Sequence, residues 1–403
     1  MIYLFLFLLI LLMNAVMQVP GIPSFINYWD ELLFLLLFVV FALKNIRTLY
    51  ISRENLAFIV PWICLIAVGL IGNFLYRYAY SMEAISRDII GILKFPIGFF
   101  LIREIGFDSR VANAIRKNKL FIIKLLVIIM FLLGVISIFT DLGMSYFDVR
   151  YGLKPFLFVF THPTILVTFS VFILLIITVS EKTNEYLLYE IMLIVVITLA
   201  FRTKGIAFII IYLVMKYCFN LKKEFKIKFV YWLIPLVLAC VVGYEKVVLL
   251  KTWTGSARTV LTLGSFELFS SCFPIGSGFA TYASHISGEY RSLVYDFIYS
   301  TEFFDSVTRE PSPNLGDVGF PYYIGQFGLV GMILIVISIK RIFSIWKNKG
   351  WPKGGFAENM IMIYFAVTLT TEALLVNNGM ECALVLAVII SIDSNKSKNV
   401  NVP

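Results

Sequence analysis

Apolar runs recur along this chain at the length a helix needs to cross a hydrocarbon layer about 30 Å thick, and that recurrence excludes most folds. The runs lie near 2–17, 27–43, 57–76, 86–102, 120–140, 156–179, 186–201, 205–219, 229–250, 319–339, 357–376 and 380–392, twelve in all. With 60% hydrophobic and only 15% charged residues, the composition is not that of an ordinary soluble protein. One long polar stretch, Lys251 to Gly319, interrupts the series late in the chain. The expected fold class is an all-α polytopic membrane protein of about twelve transmembrane helices with one long, partly helical external loop. Its organisation reads as nine spans over 1–250, the loop over 251–318, and three spans with a tail over 319–403. Met1-Ile2-Tyr3 carries no basic residue and no small-residue cleavage site follows, so the first run reads as a retained helix.

Basic residues orient the spans. The loops at 44–54, 103–119, 181–185, 220–228 and 340–355, with the tail after 392, alternate along the chain and hold most of its 34 lysines and arginines. Both termini therefore fall in the cytoplasm and the 251–318 loop falls outside. The net charge of +9 is mostly this orientation signal and leaves little room for a nucleic-acid partner. Outside, Arg77, Arg87, Arg150, Arg202, Arg258, Arg291 and Arg309 stand against Lys154, Lys204, Lys246 and Lys251. Snorkelling to lipid headgroups explains any one of these arginines alone. The set favours an anionic ligand, because the planar guanidinium fork binds phosphate with two parallel hydrogen bonds.

Of five cysteines, Cys64, Cys218, Cys240 and Cys382 lie in or beside spans and Cys272 lies outside, so no disulfide framework is expected. No phosphate-cradling glycine loop and no Asp-x-Asp pair is present, and no His/Cys/Asp/Glu spacing spells a metal site. No cofactor and no metal are therefore expected, and arginine would supply any electrophilic help.

Three external elements carry the candidate chemistry. The first places Arg150 at the outer interface and His162-Pro163 shallow in the next span, which by itself reads as a kinked helix with a satisfied histidine. The second is the turn Ala200-Phe201-Arg202-Thr203-Lys204-Gly205, where two cations at a re-entrant connection need water, an anion or a carboxylate. The third is the long loop. It contains Arg258 in a helix capped by Ser256, then Gly276 and Gly278, whose missing side chains let backbone approach a ligand. His285, Glu289, Tyr290, Arg291, Tyr295 and Asp296 follow, and Asp317 opens the next span. The tyrosines suit sugar stacking or the headgroup layer.

The order of these residues resembles a known family. Arg150 followed by His162-Pro163, the span-end Arg202-Thr203-Lys204, Arg258 before Pro274-Ile275-Gly276-Ser277-Gly278-Phe279, Tyr290 before Tyr295, and Asp317 before Pro321 and Gly325-Gln326-Phe327-Gly328 are similar to the Wzy-type O-antigen and capsule repeat-unit polymerases. The resemblance implies a membrane glycosyltransferase of the GT-C type in the bacterial cytoplasmic membrane. Such an enzyme moves a glycan from one undecaprenyl pyrophosphate carrier onto a repeat unit held on another. A chain-length regulator and a flippase of the same pathway are the implied partners besides the lipid bilayer. Arg202 and Arg258, then Arg150 and Arg291 with Lys204, would hold the pyrophosphates, and Tyr290, Tyr295, Gly276 and Gly278 the sugars. The base stays open among Asp317, His285, Glu289 and Asp296. The long loop is expected to roof a cavity into which Arg258 and Arg202 both point. A lipid-linked oligosaccharide flippase and the related O-antigen ligases are the alternatives.

The topology is directly testable. Reporter fusions at Lys226 and Lys349 should read cytoplasmic and one at Ser284 external; an external signal at Lys226 would overturn the span count.

Overall fold

The computed structural model describes residues 2–19, 21–23, 26, 28–45, 53–117, 120–150, 152–180, 183–218, 257–298, 315–316, 318–348 and 355–400. Among them the regular secondary structure is helical apart from two isolated β-bridges. The helices before the long loop are α1 (Ile2–Leu11), α2 (Met13–Val16), α3 (Trp29–Asn45), α4 (Arg53–Tyr76), α5 (Met82–Ile105), α6 (Phe107–Lys117), α7 (Phe121–Phe139), α8 (Pro163–Ser180), α9 (Thr183–Leu199) and α10 (Thr203–Leu213). The loop contributes α11 (Ala257–Ser271), α12 (His285–Glu289) and α13 (Val294–Ile298). Then come α14 (Gly319–Asn348), α15 (Phe356–Thr368), α16 (Leu374–Asn377) and α17 (Gly379–Val400). Among the described residues, four segments are long and apolar enough to cross a membrane: Ala57–Tyr76, Phe121–Phe139, Pro163–Ser180 and Gly319–Arg341. The run expected at 229–250 and the residue Asp317 lie outside the described residues.

Local sequence sets the helix ends. Ser81 accepts from the Ala84 amide at the start of α5, and left-handed Gly106 ends that helix, its amide donating to Arg103 and Ile102. The run expected from 156 begins as a helix only at Pro163, because proline fits the first turn, where its missing N–H costs nothing. His162 therefore precedes the helix and does not sit in a kink. Helix α8 is buried along almost its whole length and α17 from Gly379 to Ile392, and the two helices pack on one another. Helices α4 and α7 instead expose Phe74, Leu75, Phe121, Leu132 and Phe139, the outward apolar face that a lipid layer covers.

Several charges inside the helical body are paired locally. Lys94 of α5 donates to Asp30 and to Glu31 at the start of α3. Asp108 of α6 accepts from Ser391 of α17 at 2.5 Å and faces Arg103. Such pairs leave neither charge uncompensated in an apolar setting.

The element that positions the long loop is the segment 273–283, which threads between α4, α5 and α14. Helix α14 breaks at Gly328 (φ 56), and the loop backbone fills the break. Ser277 and Gly278 donate to the carbonyls of Gly325 and Gln326 at 3.0 and 2.9 Å, and Val330 donates to Pro274 at 3.1 Å. Asn73 of α4 clamps Phe279 by both its amide and its carbonyl at 2.8 Å, and Asp88 of α5 accepts from Ala280 at 2.8 Å. Each such buried group left unpaired would cost about 1–3 kcal/mol. Gly276 and Gly278 thus serve close approach to protein, where a ligand was expected. A Cβ on Gly276 would lie 2.5 Å from the Gln326 oxygen, and one on Gly278 2.4 Å from the Asn73 nitrogen.

Gly278→Ala should lower the melting temperature in detergent by several degrees, from a positive-φ strain of about 1–3 kcal/mol plus the clash. Gly152→Ala, with open space around its Cβ, should cost less. Equal losses would contradict the packing role.

Candidate anion-binding site

Five elements converge on one cavity of about 730 Å³, lined by Tyr146, Phe147, Asp148, Arg150, His162, Thr164, Ile165, Arg202, Thr203, Lys204, Arg258, Thr371 and Glu372. This lies within the range of about 300–1,000 Å³ usual for ligand pockets. The first wall is an irregular hairpin over 144–157, in which Tyr146 donates to Pro155, Leu157 to Met144, and Arg150 and Leu153 bond one another. Left-handed Gly152 makes its tip possible. Phe156 donates to Leu199 at 2.9 Å, tying the hairpin to the end of α9.

The second wall is the turn from α9 into α10. Phe201 takes a positive φ of 45°, and the Arg202 carbonyl caps α10 by accepting from Gly205 and Ile206. Gly205 lets α10 close on α8 and α9, since a Cβ there would meet Ile197 at 2.8 Å. The turn thereby holds Arg202 and Lys204 rigidly at the cavity edge. Arg258, in the first turn of α11, and Thr371 and Glu372, just past α15, close the ring.

Arg202 is the centre of this arrangement. Its guanidinium bonds His162 Nε2 at 3.0 Å and lies 5.3 Å over the Tyr146 ring, a cation–π contact. Its Nε is buried with no hydrogen-bond partner. Burial, then the neighbouring Arg150, lowers its pKa to about 10, which still leaves it charged at neutral pH. Arginine can only donate, so His162 accepts through Nε2, and its Nδ1 faces the Thr164 hydroxyl and amide. Burial, with Arg202, Lys204, Arg150 and Arg258 behind it, pushes the His162 pKa down to about 4. The imidazole is a neutral acceptor that orients Arg202.

Lys204 is buried and donates to Glu372 and to Thr168 Oγ1, the latter at 3.1 Å, while Thr168 bonds the Tyr364 hydroxyl at 2.7 Å. Arg150 Nε bonds Asp148 at 2.9 Å. The lining therefore sets Arg150, Arg202, Lys204 and Arg258 against Asp148 and Glu372, an excess of positive charge around a half-enclosed space. Such an excess is unfavourable without an anion, and an anion with several oxygens suits it. A smaller space of about 250 Å³, lined by Ser145, Leu153, Lys154, Phe156 and Phe201 among others, adjoins the other side of the hairpin.

Of the residues singled out in the sequence, the structure thus brings Arg150, Arg202, Lys204 and Arg258 together. The others named in the long loop do not line this cavity. Tyr295 is buried, stacked 5.6 Å from Tyr282, with its hydroxyl bonded to Ala283 and Ser287, so no sugar can reach its face. Glu289 pairs with Arg87 at 3.0 Å, and Tyr290 bonds the same guanidinium at 3.2 Å. His285 and Arg291 are exposed at either side of α12, the His285 ring lying against Gly316. Glu372 and Thr371 were not anticipated, and His162 was read only as structural. Compared with known proteins, the chain matches no family model and no curated protein.

The His162 shift gives a pH prediction. A folded pKa below the unfolded value near 6.5 means that acid favours the unfolded chain, which takes up the proton first. This contribution is intact above pH 6.5 and is lost between there and about 4. Melting temperature should fall over that window in wild type and fall less in His162→Gln; an identical pH dependence would refute a neutral, cation-crowded His162.

Proposed function

We propose that this chain is a membrane glycosyltransferase that polymerises undecaprenyl-pyrophosphate-linked oligosaccharide repeat units at the outer face of the bacterial cytoplasmic membrane. On this reading it has about twelve spans, a GT-C-like architecture and both termini in the cytoplasm. The observation that carries it is the gathering of Arg150, Arg202, Lys204 and Arg258 around one cavity from three separate stretches of sequence. Three of them are arginines, the side chain suited to a diphosphate.

The geometry gives each residue a task. Arg202, fixed by His162 and Tyr146, is aimed before substrate arrives, so little reorganisation is needed as charge develops on the leaving pyrophosphate. Arg258, reaching in from the external loop, and Arg150, on the hairpin, can hold the remaining phosphate oxygens. The lipid tail stays in the bilayer while the sugars extend into the cavity. Positioning of donor against acceptor in this way can supply much of the rate.

Arg202→Ala and Arg258→Ala should each cut polymer synthesis about 10²- to 10³-fold at unchanged protein level, the usual loss on removing one preorganised donor. Lysine should restore little at either position. Equal function with lysine at both would reduce the cluster to a plain interfacial charge. A deletion strain should display single repeats; no surface repeats would indicate a flippase, and unattached long chains a ligase.

A further inference from the structure

Two carboxylates face the cavity, and they differ in how they are held. Asp148 sits on the same exposed hairpin as its partner Arg150, two residues away, and its side chain is 43% accessible. Glu372 is 21% accessible and is anchored from below by Lys204, whose side chain is 1% accessible. The anchor is itself fixed, since Lys204 also donates to Thr168 and stands 5.9 Å from the Tyr364 ring. The Glu372 backbone is fixed too: its amide donates to Thr368 at 2.8 Å, and Gly319 packs against its carbonyl. A carboxylate this well oriented, at the edge of a space rimmed by arginines, is placed to take a proton while negative charge is drawn to the opposite wall.

We infer that Glu372 is the general base of the transfer, with Lys204 as the residue that positions it. The inference rests on the glycosyltransferase reading above. In the step, an acceptor hydroxyl oxygen forms a bond to the anomeric carbon of the donor sugar. The bond from that carbon to the pyrophosphate oxygen breaks, and its electron pair leaves with undecaprenyl pyrophosphate onto the arginines. The hydroxyl proton passes to the Glu372 carboxylate and from there to water. A base on the acceptor side and a cationic clamp on the donor side describe a single displacement, which inverts the anomeric configuration.

The test uses the full-length protein in lipid nanodiscs. The probes are the lipid-linked repeat isolated from a strain lacking this chain, and undecaprenyl pyrophosphate for binding by thermal shift. Glu372→Gln should keep the undecaprenyl pyrophosphate shift and lower kcat about 10²- to 10⁴-fold with KM little changed. Glu289→Gln, whose carboxylate pairs with Arg87 away from this cavity, should stay within about tenfold of wild type, and the new linkage should carry the inverted configuration. Should Glu372→Gln not fold, Glu372→Asp decides, because a retracted carboxylate should slow turnover about tenfold or more while binding holds. Turnover by Glu372→Gln near the wild-type rate, unchanged turnover by Glu372→Asp, or a product of retained configuration would each overturn the inference. Wild-type protein that binds undecaprenyl pyrophosphate but never extends the repeat would remove the glycosyltransferase reading, and this inference with it.

Discussion

Backbone amides and carbonyls buried among apolar helices must find partners, and the end of this protein that carries the long loop is organised by how one segment meets that demand. The 273–283 chain enters where α14 breaks at Gly328 and supplies the hydrogen bonds that the break would otherwise lose. Asn73, Asp88 and Gln326 complete the pairing from three helices. The long loop is thereby pinned in the helical body. Helix α11 packs along α14 as a result, and Arg258 at its start reaches the cavity.

The cavity differs from the ion pairs elsewhere in the helical body. Lys94 meets two acids and Lys216 meets Glu190, whereas Arg202 has a neutral histidine as its bonded partner and a buried Nε without any. Arg150 and Arg258 crowd it further. A rim that sets four cations against two carboxylates favours the binding of an anion. Mobility is not the means: Phe156, Gly205 and Tyr146 fix the walls through backbone bonds and close packing.

The all-helical class was legible because apolar run length is a local signal. The Arg202-Thr203-Lys204 turn was legible as well, since two cations between apolar runs contradict their surroundings. Glu372 was not, because its partner lies 168 residues earlier and its own neighbours, Thr370-Thr371 and Ala373-Leu374, look like an ordinary helix end. His162 was misread because Pro163 suggested a kink, whereas the proline starts the helix and frees the ring to meet Arg202. Gly276, Gly278 and Tyr295 have the composition of a sugar site but are consumed by packing, a distinction that only three-dimensional neighbours reveal. Asp317 and the run at 229–250 lie outside the described residues, so their assignments rest on sequence alone.

The central claim is that the arginine-rimmed cavity receives a diphosphate, and a structure of the protein with undecaprenyl pyrophosphate bound tests it most directly. The account predicts diphosphate density between Arg202, Arg258 and Arg150, with the isoprenoid running sideways into the bilayer. Diphosphate density seated elsewhere, for instance beside Arg87 and Tyr290, with the cavity filled only by water, would contradict it.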